Sequence, residues 1–209
     1  MSMVNDQSIE SFLEALASKS PTPGGGSAVA VLGAMGAALV SMVANLTIGK
    51  KNYESVQTEM VEILQDADAL RHRILGLVAA DMAAFDQVMA AYGLPKETEN
   101  EKAARSEAIQ LGLKAATEAP LAAALLCRDV VVLCHAVAEK GNRNVISDAG
   151  VGVLSAHAGF RSAILNVRVN TGAIRDEAFV KQSLETMEKL GKNLDALVEA
   201  TYQIVESRL

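Results

Sequence analysis

One carboxylate in this sequence stands among unlikely neighbours. Leu70, Ile74, Leu77, Asp81, Phe85 and Val88 recur at steps of three and four, so Asp81 falls in the middle of an apolar helical stripe. An unpaired carboxylate on a buried face is costly unless hydrogen-bonded, and desolvation lifts its pKa above the usual value of about 3.9. Such a group suits a general acid or base. It suits equally a cap or hydrogen bond to a neighbouring helix, and the pattern leaves both readings open. Asp86, about 140° further round the helix, is more ordinary.

A second constellation runs from Asn144 to Asn170. Asp148, Gly152, Ser155, Gly159, Ser162, Asn166 and Asn170 share one helical face, small and polar throughout. The opposite stripe, with Ile146, Val153, His157, Phe160, Ile164 and Val167, is mainly apolar and would hold the helix in the core. The polar face reads either as the wall of a polar cleft or as a tight helix contact stitched by hydrogen bonds.

The third is S-P-T-P-G-G-G-S-A-V-A at residues 20–30. A phosphate loop of the Walker A type needs a lysine and a hydroxyl after its last glycine, whereas Gly26 is followed by Ser27-Ala28-Val29. What remains is a turn, Gly24, Gly25 and Gly26, presenting N–H groups at a helix start with Ser27 as N-cap. Such a turn suits a negative or carbonyl oxygen. Lys50 and Lys51 follow the helix, where they complement its carboxyl end or meet an anionic tail.

Other chemistries are disfavoured. His72, His135 and His157 lack ligand spacing and no metal site is expected, His157 reading as a satisfied core histidine. Cys127 and Cys134 form no C-x-x-C pair and read as buried thiols in a reducing cytoplasm. A net charge of −6 argues against a nucleic-acid or anionic-membrane partner. The amino end M-S-M-V-N-D-Q has no export-signal pattern. The membrane candidate, residues 28–48, carries Ser41 and Asn45 and reads better as a buried helix.

The elements that must position these residues are helical. Among 209 residues, 50% are hydrophobic but only 3% aromatic, a palette that favours closely packed helices. Apolar spacing near 3.6 predicts an all-α bundle of six to seven helices in one domain over residues 1–209. Helices are expected at about 8–19, 27–48, 54–92, 98–118, 120–140, 144–170 and 175–207. Breaks are expected at residues 21–26, Gly49, Gly93-Leu94-Pro95, Pro120, Gly141-Asn142 and Gly172. In the helix from Ser27, Leu32, Met35, Leu39, Met42 and Leu46 form the large-residue stripe expected to supply core contacts. Ala30, Gly33, Ala34, Ala37, Ala38 and Ser41 would let neighbours approach closely.

Several motifs in one order resemble the cyclodeaminase/cyclohydrolase family. They are T-P-G-G-G-S at 22–27, G-A-M-G-A-A-L-V-S-M-V at 33–43, D-x-x-A-F at 81–85, G-L-P-K at 93–96, G-N at 141–142, S-D-A-G-V at 147–151 and N-V-x-V-N at 166–170. The family includes the carboxyl-terminal domain of formiminotransferase-cyclodeaminase and free-standing methenyltetrahydrofolate cyclohydrolases, and the resemblance covers about residues 8–180. It implies an all-helical, dimeric enzyme acting on one-carbon folates without a further cofactor, its catalytic aspartate at Asp81. Some bifunctional members carry another aspartate where this chain has Ala79. N-L-T-I-G-K-K at 45–51 and A-E-K-G-N at 138–142 look closer to the cyclohydrolases.

Residue chemistry and the matched motifs give the expected substrate-binding set: Thr22, Pro23, Gly24, Gly25, Gly26 and Ser27, with the Gly24 to Ser27 amides on substrate oxygen, Asp148 on pterin N–H groups, Asn166 and Asn170 as polar wall, and Lys50 and Lys51 on a glutamate tail. Asp81 would activate water against 5,10-methenyltetrahydrofolate and return the proton to N5. Cyclodeamination of 5-formimidoyltetrahydrofolate and a non-enzymatic helical interaction protein are the alternatives.

Overall fold

The structure, a computed structural model, describes residues 7–209. Residues 1–6, most of the segment read as lacking an export signal, lie outside the described residues. Seven α-helices and no strand occur among the described residues: α1 (Ile9–Leu16), α2 (Gly25–Asn45), α3 (Gln57–Tyr92), α4 (Glu99–Lys140), α5 (Ile146–Thr171), α6 (Glu177–Gly191) and α7 (Leu194–Arg208). The all-α expectation is met. Short 3₁₀ turns, Glu54–Val56 and Arg143–Val145, lead into α3 and α5. Thr98 and Glu101 start α4 as a reciprocal capping box, satisfying amides that a helix start leaves unpaired.

Two boundaries differ from expectation. Pro120 does not end a helix; α4 runs through it for 42 residues. The expected helix 175–207 is instead two, α6 and α7, separated at Lys192-Asn193, where Asn193 adopts φ 64°. Asparagine tolerates that left-handed conformation better than most residues, and the chain turns there.

α2 lies against α3, α4 and α5, and α4 against α5, while α6 and α7 pack on α4 and α5. The face α2 buries is its small one. Ala30, Gly33, Ala34, Ala37, Ser41 and Ala44 are buried, whereas Met35, Met42 and Leu46 are about half exposed. Of the large-residue stripe expected in the core, Met35, Met42 and Leu46 therefore point outward, while Leu32 and Leu39 are half-buried. The reason is close approach. A Cβ on Gly33 would lie 2.7 Å from the Cys127 thiol, one on Gly159 2.9 Å from that same sulfur, and one on Gly36 2.9 Å from the Gly152 carbonyl oxygen. With glycines on α2 and α5, and cysteines as the small side chains of α4, three backbones pack within distances that Leu or Met would prevent. Both cysteines are free and buried. Burial pushes Cys127 up to about 12 and Cys134 further still.

By length and composition α2, the segment Glu54–Tyr92 and α4 could each cross a bilayer. Most of the apolar window of α2 is covered by its neighbours, as expected for a buried helix.

The apolar interior has two parts. The main cluster gathers Val40, Ile74, Val78, Val130, Val153 and Phe160 with their neighbours from α2 to α7. A smaller one, Val88, Ala91, Ile109, Leu113 and Ile174, lies where the α3–α4 hairpin extends past α2. Along α3 the first ends near Val78 and Met82 and the second begins at Val88; along α4 the second ends at Ala116 and the first resumes at Leu121. Asp81 and Pro120 stand at that seam.

Candidate active site

The glycine turn leads into α2 with Gly24, not Ser27, as N-cap, and the Thr22–Pro23 peptide is cis. Gly24 has no side chain to cap with. Ala28 is bonded to the Gly24 carbonyl oxygen at 3.0 Å, which leaves the earlier amides to other acceptors. Asp81 of α3 lies there: its carboxylate accepts from the Ser27 hydroxyl at 3.4 Å and is near the Ser27 backbone N–H. Ser27 itself is fully buried.

Gly26 makes this possible. A Cβ there would overlap the carboxylate of Asp81, so the acid reaches the helix start only because residue 26 has no side chain. Burial raises the pKa of Asp81 above its ordinary value, and the Ser27 hydroxyl and backbone N–H offset part of that rise. Of the two readings of Asp81, the contact with a neighbouring helix is the one seen.

Beside Asp81 is a cavity of about 10 Å³, the space of a single water, lined by Gly26, Val29, Leu77, Ala119, Pro120, Ala123 and Asn166. Asn166 also lies over the glycine turn, its Oδ1 3.6 Å from where a Cβ on Gly25 would be. Asn170, one turn further along α5, donates from Nδ2 to the Ala116 carbonyl oxygen at 2.8 Å. A groove of about 1110 Å³ between α5 and α6 contains none of the candidate residues.

The structure thus brings together Asp81, Gly24, Gly25, Gly26, Ser27 and Asn166, with Thr22 and Pro23 on the approach. Thr22 fixes that approach by accepting, through its carbonyl oxygen, a 2.7 Å bond from the Ser20 hydroxyl. Asp148, Lys50 and Lys51 are elsewhere in the chain. Asp148 sits in the first turn of α5, eighteen residues or about 27 Å before Asn166, and the lysines follow the far end of α2. The middle of the polar α5 stripe is a helix contact: Gly152 and Gly159 meet α2 and α4, and the Ser155 hydroxyl donates to the Leu32 carbonyl oxygen at 2.8 Å.

Residues that the sequence did not single out are Pro120 and its neighbours Ala119 and Ala123. Their signal was the proline within an apolar helical pattern. Ala79, two residues before Asp81 and about 200° round α3, is exposed and does not face the site. His157 is satisfied by Asp195 Oδ1 at 2.7 Å, linking α5 to α7 at the edge of the core. Among the described residues no three His, Cys, Asp or Glu side chains converge.

Residues 8–189 match the formiminotransferase-cyclodeaminase family. The chain is 54% identical over 207 residues to a methenyltetrahydrofolate cyclohydrolase of Methylorubrum extorquens, covering 99% of this chain and 100% of that one. It is 33% identical to the formimidoyltransferase-cyclodeaminase of Sus scrofa, covering 91% of this chain but 36% of that longer protein. A crystal structure of formiminotetrahydrofolate cyclodeaminase from Thermotoga maritima superposes with a TM-score of 0.83 at 36% identity, over 99% of this chain and 97% of that one.

Proposed function

The chain belongs to the formiminotransferase-cyclodeaminase family, and from that premise we propose that it hydrolyses 5,10-methenyltetrahydrofolate to 10-formyltetrahydrofolate. One observation carries the reading: a carboxylate with a raised pKa, held at a helix amino terminus beside a space the size of one water. Full-length identity of 54% to a methenyltetrahydrofolate cyclohydrolase supports it.

The bridging carbon of the substrate belongs to an amidinium-like cation and is electrophilic without a metal. Water forms a bond to that carbon as the Asp81 carboxylate takes one of its protons. The C–N5 bond then breaks as Asp81 returns that proton to N5. The remaining hydroxyl proton leaves to solvent, and the formyl C=O stays on N10. The negative charge of Asp81 favours the cationic substrate before either step. Asn166 and the amides of Gly25 and Gly26 then orient polar substrate atoms.

The residues far from Asp81 take their proposed roles in a homodimer. Met35, Met42 and Leu46 on α2, and Val151 and Leu154 on α5, leave apolar surface exposed, which supports a second copy as its cover. Asp148, Lys50 and Lys51 then serve the pterin and glutamate ends of substrate from the partner's side of such a site. The net charge of −6 supports a small-molecule partner over nucleic acid or anionic membrane, and the free thiols support a reducing cytoplasm.

A second reaction, cyclodeamination of 5-formimidoyltetrahydrofolate with loss of ammonia, is favoured by the Thermotoga maritima structure and its 36% identity. Measuring kcat/KM for both substrates on one preparation separates them, because specificity is the ratio of those constants. The methenyl substrate is expected to dominate, its absorbance falling faster than spontaneously without added metal or nucleotide. A larger constant for the formimidoyl substrate would replace the assignment.

A further inference from the structure

Pro120 sits inside α4 and is buried at the cavity beside Asp81. A proline in a helix has no N–H, so the carbonyl four residues earlier loses its intrahelical donor. Here that carbonyl belongs to Ala116. It receives instead the side-chain amide of Asn170, which donates from Nδ2 at 2.8 Å across to α4 from the last turn of α5. Asn166, one turn before Asn170 and on the same face of α5, lines the cavity with Pro120 and Asp81. The proline defect, its repair and the polar wall thus form one layer between α4 and α5.

We infer that Asn170 is a positioning residue: by replacing the hydrogen bond that Pro120 removes from Ala116, it fixes the interrupted turn of α4 against α5 and holds Asn166 and Pro120 around Asp81. Asn170 spends an N–H of its amide on this bond and does not itself line the cavity beside Asp81, so its part in the reaction is indirect. The inference rests on the Asp81 cavity being the reaction site. A partly buried carbonyl left without its donor would draw in water or shift the turn, and small displacements of groups around a reacting centre are costly in rate.

The test is a double-mutant cycle with Asn170→Ala, Pro120→Ala and the two combined, reading kcat, KM and the thermal unfolding midpoint. Asn170→Ala lowers kcat about tenfold, measured well below its midpoint, with KM changed less than about twofold. Pro120→Ala returns an N–H to the Ala116 carbonyl. In that background, whatever Pro120→Ala does alone, removing Asn170 costs less than about twofold in kcat, a coupling expected only of groups that act through one another. Equal losses in both backgrounds would overturn the inference, and so would an unchanged kcat with only the midpoint lowered. If Asn170→Ala does not fold, Asn170→Leu, which keeps about the size and removes the donor without adding charge, gives the same comparison. The midpoints need no substrate. An inactive wild type would therefore sink the reaction assignment, while coupled or additive midpoints still decide whether Pro120 and Asn170 act as a pair.

Discussion

The carboxylate of Asp81 occupies the place that a side chain on Gly26 would take. The two residues are on different helices, and each is explained by the other: glycine leaves the opening, and the acid fills it while accepting from Ser27. The group proposed to move protons is therefore also a tie between α3 and the start of α2.

Asp81→Asn separates those two duties. An asparagine oxygen still accepts from Ser27, whereas the proton acceptor is lost, so kcat should fall at least about a hundredfold. The raised pKa means that ionising Asp81 costs the folded state more than the unfolded one. That cost is absent below the unfolded pKa and complete above the folded one, so at pH 7 the uncharged variant should melt at an equal or higher temperature. Near-normal turnover would remove Asp81 from the chemistry.

The pH profile follows from the same sign. Water activation needs the carboxylate, so kcat/KM should fall on the acid side through an apparent pKa above the usual carboxylate value of about 3.9. Ser27→Ala deletes a bond that favours the ionised form and should move this limb to higher pH. A limb that moves downward in Ser27→Ala would contradict the account.

The neighbouring glycines should differ sharply. Gly26→Ala overlaps the carboxylate and should lose at least about tenfold in kcat/KM through displacement of Asp81. At Gly25 a Cβ meets only Asn166 Oδ1, at 3.6 Å, so Gly25→Ala should stay within about threefold. Equal effects would show that the turn acts through backbone freedom and not through the Asp81 contact.

The outward face of α2 predicts its own test. Sedimentation at micromolar concentration should give about twice the chain mass, and Met35→Glu with Met42→Glu should shift the protein to monomer, because charge on an apolar contact is costly. A monomeric wild type would refute the dimer.

Thiol chemistry probes the interior. Cys127, pushed up to about 12, and the still more buried Cys134 should be silent to a thiol-specific disulfide reagent at pH 8 and titrate as two groups in denaturant. Rapid native reaction would mean that the α2–α4–α5 contact opens readily.

Much of this was visible in residue order. Helical periodicity exposed Asp81 as a carboxylate on an apolar face, and three glycines before an apolar run marked a helix start. That Gly26 in particular admits Asp81 was hidden, because the contact joins positions 55 residues apart that only the packing of α2 on α3 brings together. Pro120 was read as a break because local rules assume its freed carbonyl goes unpaired, whereas the donor comes from Asn170 on another helix. The orientation of α2 was inverted for a related reason. Hydrophobicity marks a stripe that avoids water without saying what covers it, and here three backbones close over the small side. The distant placement of Asp148, Lys50 and Lys51 follows from helix length, which motif matching ignores.

The seam between the two apolar clusters has a dynamic consequence. Asp81 and Pro120 lie where one apolar cluster of the bundle gives way to another, and regions that bury different amounts of apolar surface open with different free energies. The outer block around Val88, Ala91, Ile109 and Leu113 buries less apolar surface than the inner one, so it should loosen first, with the joint as its hinge. Amide hydrogens of Val88–Ala91 and Ile109–Leu113 should then exchange through a partial opening that leaves the centres of α2 and α5 protected. Such an opening would bare the acid while the cysteine-filled interior stays shut. Access to the carboxylate and global stability would then be separable properties, set by different ends of the same two long helices.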